Sequence, residues 1–73
     1  MQTRIQHAVN EIIHRYLLFI NNGREITDHH ELRLFCAESV AIFGNKKLVS
    51  NLKKRKIKKD FKREIDSIIT EIV

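Results

Sequence analysis

The sequence contains no proline and no tryptophan, and only two glycines, one cysteine and one tyrosine among its 73 residues. Each shortage excludes something. Without proline, and with glycine only at positions 23 and 44, almost nothing interrupts a helix. The lone Cys36 cannot close an internal disulfide, which suits a reducing, cytoplasmic setting. There is no glycine-rich phosphate loop, no serine elbow and no pair of carboxylates in a strand context. With little volume for a pocket as well, the chain is not expected to be an enzyme or to need a cofactor. The longest wholly apolar run, Tyr16 to Ile20, is far below the ~20 residues that span a bilayer. The first ten residues lack the basic-then-apolar pattern of a secretory leader, so neither a leader nor a membrane span is expected. A chain this short has a thin core, and pairing with a second copy is the remaining way to bury more apolar surface. A homodimer is therefore expected.

What is abundant is positive charge, and it is not spread evenly. The net charge of +5 resolves into −1 for residues 1–45, +9 for residues 46–63 and −3 for residues 64–73. The basic stretch carries Lys46, Lys47, Lys53, Lys54, Arg55, Lys56, Lys58, Lys59, Lys62 and Arg63 against the single acid Asp60. Like charges at this density disfavour the helices that carry them, and their combined field attracts polyanions.

Apolar spacing predicts an all-α fold: a compact three- or four-helix single domain over residues 1–73, with helices near 4–21, 29–43, 46–55 and 60–72. Thr3 followed by Gln6 reads as a capping box, and Asn21-Asn22-Gly23 as a helix stop. Between them Ile5, Val9, Ile12, Ile13, Tyr16, Phe19 and Ile20 recur at helical spacing. Asp28 with Glu31, or Thr27 one residue earlier, caps the second helix, which Gly44 ends. Nine of its thirteen residues from Glu31 to Phe43 are apolar, more than one face can hold, so it is expected at the centre of the bundle. Asn45 is the expected cap of the third helix. Leu48, Val49 and Leu52 point one way and Ile57, Phe61, Ile65, Ile68, Ile69 and Ile72 nearly the opposite way on one straight helix. A break between Lys53 and Lys59 reconciles them; one continuous helix with two separate contacts is the alternative. The expected core is Ile5, Val9, Ile12, Ile13, Tyr16, Phe19, Leu32, Phe35, Cys36, Val40, Phe43, Leu48, Leu52, Phe61, Ile65, Ile68 and Ile72.

The ten cations of 46–63 are the candidate site. Each that neutralises a phosphate releases a condensed counterion, so nucleic acid or another polyanion is the expected partner. An electrostatic accessory or regulatory role follows. The Gly44-Asn45 junction invites comparison with a helix-turn-helix, but only Ser50 and Asn51 resemble base-reading side chains. Aromatics other than Phe61 are missing from the basic run, which leaves no platform for stacked bases. The alternative partner is an acidic protein surface, docked through spare apolar residues Leu18, Leu34, Ala37 and Ala41, with the basic segment steering association. Glu64, Asp66 and Glu71 could also fold back to screen the basic run. His7, Glu11 and His14 share a helical face, yet a fourth ligand is missing and an exposed polar strip explains them; no metal is expected. Cys36 lies on the apolar stripe, where a thiol behaves as a small hydrophobe.

Overall fold

A computed structural model describes residues 3–72. It contains four α-helices: α1 (Arg4–Asn21), α2 (Ile26–Phe43), α3 (Asn45–Lys53) and α4 (Lys59–Thr70). Among the described residues there is no strand.

The ends of α1 follow from local chemistry. The Gln6 amide donates to Thr3 Oγ1 at 3.3 Å and the Thr3 amide to Gln6 Oε1 at 2.9 Å, satisfying two donors the helix leaves unpaired. At the other end the Arg24 amide donates to Phe19 O (2.8 Å) and the Gly23 amide to Ile20 O (3.1 Å). These two bonds make a Schellman motif, which places Gly23 in the left-handed region at φ 70°.

The second helix starts earlier than expected. Its cap is Glu25, with no side-chain hydrogen bond, and Thr27 and Asp28 lie within the first turn. Asp28 is there an acid at the positive end of the helix dipole, and its Oδ2 accepts from Asn22 Nδ2 at 3.0 Å. It ties the α1–α2 turn together instead of capping. Asn45 likewise is the first residue of α3 rather than its cap, because Gly44 at φ 84° and ψ 148° makes the whole turn by itself. Leu48, Val49 and Leu52 fall on α3 and Phe61, Ile65, Ile68 and Ile69 on α4, with Ile57 in the link 54–58 between them and Ile72 past the end of α4.

One core joins all four helices. Val9, Ile12 and Tyr16 of α1, Leu32 and Cys36 of α2, Leu48 and Leu52 of α3, and Ile65 and Ile69 of α4 are essentially closed to solvent. Ala8 and Phe19 are nearly so. Of the expected core, Ile5, Ile13, Phe35, Val40, Phe43, Phe61, Ile68 and Ile72 are only partly buried and pack around that cluster. Ala8 and Ile69 belong to it and were not expected. Ala8 is small enough to let another helix come close, and Ile69 is favoured over its neighbour Ile68 by the rotation of α4.

The expectation of a central α2 holds for one side of the helix only. The helix touches each of the other three, but only Leu32, Cys36 and Ser39 are buried in it, against five residues in α1. Its second apolar side is bare: Leu34 is 55% and Ile42 61% exposed, and Ala41 is also exposed. Three neighbours in a chain this short cover one side of an 18-residue helix and leave the other without a layer to pack on.

Candidate polyanion-binding surface

The basic segment occupies α3, the link 54–58 and the first half of α4. Leu48 and Leu52 anchor α3 to the core, and Ile65 and Ile69 anchor α4. Ile57, the one apolar residue of the link, packs against the core cluster and holds the chain reversal in place. The two helices run antiparallel, so Asn45 and Lys46 face Thr70 at one end, and Lys53 meets Lys59 and Lys62 at the other.

Two adjoining recesses follow the α3–α4 crevice, sharing Val49 and Lys53. The first, about 460 Å³, is lined by Asn45, Lys46, Val49, Ser50, Lys53 and Thr70. The second, about 210 Å³, is lined by Val49, Leu52, Lys53, Lys59, Lys62, Arg63 and Asp66. Helical geometry explains the sets: 46, 49, 50 and 53 share one side of α3, and 59, 62, 63, 66 and 70 one side of α4. The crevice thus has an apolar floor and a rim of five cations with one carboxylate.

Of the ten candidate cations, Lys46, Lys53, Lys59, Lys62 and Arg63 come together in this crevice. The other five do not line it. Lys47 lies on another side of α3, and Lys54, Arg55, Lys56 and Lys58 belong to the link. Two of the ten have structural work: Arg55 Nη2 donates to Gln6 O of α1 at 2.9 Å, and Lys62 Nζ donates to Lys53 O at 3.1 Å. The second contact places a cation at the negative end of α3. Lys58 lies 5.5 Å from the centroid of the Phe61 ring. Lys46, Lys47, Lys53, Lys54, Lys56, Lys59 and Arg63 are exposed.

Among the described residues no carboxylate forms an ion pair with any of the ten. The ion pairs are Arg15 with Glu11 (3.8 Å), Arg15 with Glu31 (3.7 Å) and Arg24 with Glu64 (3.0 Å). Glu64 does not fold back on the basic run; it receives a two-pronged contact from Arg24, with Nη1 to Oε2 at 3.0 Å and Nη2 to Oε1 at 3.3 Å. That contact pins α4 to the end of α1, while the Arg24 guanidinium also lies 5.4 Å from the Phe19 ring centroid. The Arg24 hydrogen bonds hold the Glu64 carboxyl below its ordinary range. Burial, and then the nearby Glu64 carboxylate, push the Tyr16 phenol up. Asp66 alone of the C-terminal acids lines the crevice.

The remaining candidates are placed as follows. Leu18 is 44% exposed and Leu34 55%; Ala37 is half-buried and Ala41 exposed. The α2–α3 turn is the single residue Gly44, shorter than the three or four residues of a helix-turn-helix. No three His, Cys, Asp or Glu side chains gather to hold a metal ion among the described residues. Burial pushes the Cys36 thiol up to about 12, leaving it protonated and unreactive. No described helix is long and apolar enough to cross a membrane. Sequence reasoning missed Asn45, Val49, Ser50, Asp66 and Thr70 as crevice residues; their three-and-four spacing marks them once the helix break is located. Searches against family models, curated proteins and solved structures found no match for this chain.

Proposed function

We propose that this chain is a small accessory or regulatory protein that binds nucleic acid electrostatically through residues 46–63, without catalytic activity. The carrying observation is that ten cations in eighteen residues have no carboxylate partner among the described residues, and five of them rim one crevice. These cations, six of them held on the two anchored helices, can replace a polyanion's condensed counterions without breaking an internal ion pair. The missing aromatics and the shortage of short polar side chains favour contact with the sugar–phosphate backbone over base reading. In this reading the protein acts as a homodimer in a reducing, cytoplasmic setting.

The test is fluorescence anisotropy of purified protein against a mixed-sequence duplex and the matching single strand. Binding that weakens steeply between low and moderate salt supports the reading. Failure to bind either at low salt overturns it.

A second reading, docking of an acidic protein, is supported by the bare apolar residues Leu18 and Leu34. Its sign is a stoichiometric protein partner whose capture survives nuclease treatment and is lost in Leu18→Asp.

A further inference from the structure

We propose that the outward face of α2 pairs with the same face of a second copy of this chain, the two helices parallel about a two-fold axis. The inference names the surface and register of the homodimer and rests on none of the charge reasoning for residues 46–63.

Thr27, His30, Leu34, Ala37 and Ala41 follow each other at alternating steps of three and four, the spacing of a coiled-coil seam. They lie on the side of α2 away from Leu32, Cys36 and Ser39, which face the core. The apolar part of the seam, Leu34 to Ala41, has two alanines that let a second backbone come close. Leu34 stands between two shallow recesses, one lined by Arg15, Glu31, Phe35 and Glu38, the other by His30, Arg33, Ala37 and Ile72, with Glu71. A ridge with a hollow on either side suits ridge-into-groove packing against an identical surface.

Charge selects the orientation. Arg33 and Glu38 flank the seam on opposite sides, both are exposed, and neither forms an ion pair among the described residues. In a parallel pair a residue just before one seam position faces the residue five further along the other helix, on its opposite flank. Arg33 then meets Glu38 of the second copy, and the two-fold axis makes the contact twice. An antiparallel pair brings like flanks together, so Arg33 no longer meets Glu38 of the second copy. One turned-in leucine layer on an 18-residue helix buries a small area, so the association is of the weak, reversible class.

The experiment is sedimentation analysis of the full chain from about 10 µM to about 1 mM, a range chosen for weak association. The wild type is expected to pass from monomer to dimer within it. Leu34→Asp, at an exposed position, is expected to stay monomeric with unchanged helicity by circular dichroism. Arg33→Glu and Glu38→Arg are each expected to weaken dimerisation roughly tenfold, since each puts two like-charged pairs across the seam. Mixing the two single variants restores dimerisation, because both cross-pairs become opposite in sign. A wild type that stays monomeric, a dimer indifferent to Leu34→Asp, or single variants that do not rescue each other overturns the proposal. None of these outcomes alters the binding test for residues 46–63 in a chain whose helicity is intact.

Discussion

Changing Lys46, Lys53, Lys59 and Arg63 together to Gln removes four exposed cations from the crevice and breaks no internal ion pair. Arg55 and Lys62 are left in place because they bond the carbonyls of Gln6 and Lys53. If all four neutralise phosphates of duplex DNA, the slope of log affinity against log salt becomes shallower by about 3.6, at about 0.9 per contact. Over a fourfold rise in salt, from about 50 to about 200 mM, roughly a hundredfold of the wild type's affinity loss then disappears. The comparison is the Gln variant of Lys47, Lys54, Lys56 and Lys58, which loses the same net charge from positions outside the crevice. Its slope is expected to change by about 1 or less. Anisotropy titrations at four salt concentrations measure both, with circular dichroism as the check on folding. Equal slopes for the two variants would refute the crevice as the phosphate track and leave only diffuse attraction.

Other consequences follow from the core and its caps. Leu48→Ala opens a cavity at a fully buried position, and a loss of about 3 kcal/mol is expected. In a domain this small that lowers Tm by more than about 10 °C, as thermal circular dichroism would record. Gly44→Ala meets nothing within 4 Å, yet φ 84° with ψ 148° is a glycine conformation, so a cost of about 1–3 kcal/mol is expected from backbone strain alone. Cys36, pushed up to about 12, is expected to react with an aromatic disulfide reagent at about pH 8 only after denaturation; rapid reaction of the native protein contradicts its burial. The lowered Glu64 carboxyl binds its proton more weakly folded than unfolded. Its stabilisation is therefore full above the ordinary carboxylate range and lost as pH falls through the depressed folded value. Glu64→Gln is expected to lower Tm near neutrality and to converge with the wild type in acid.

The helices were readable where side chains act on their own backbone. Thr3 with Gln6 and Asn21-Asn22-Gly23 mark both ends of α1, and the opposed stripes around Leu52 and Ile57 favour, over one continuous helix, the break that separates α3 from α4. The start of α2 was misread because Asp28 has two uses near a helix start, cap or first-turn acid, and the contact with Asn22 decides between them. The bare second side of α2 was not legible for a related reason. An apolar residue such as Leu34 marks a surface that can be covered, without saying whether this chain has anything to cover it. The concentration of charge was plain in the sequence, but the crevice was not. Lys46 and Thr70 meet only because α3 and α4 run antiparallel, a tertiary fact with no local signature.

The central claim is that residues 46–63 are the surface that meets phosphate. Its most direct test is a nitrogen-15 NMR titration with a mixed-sequence duplex at low salt. Shifts are expected to be largest along the crevice sides of α3 and α4 up to Thr70 and smaller in the 54–58 link, and are expected to reverse on adding salt. Shifts centred on α1 or on the outer side of α2, or no shifts at saturating duplex, would contradict the account.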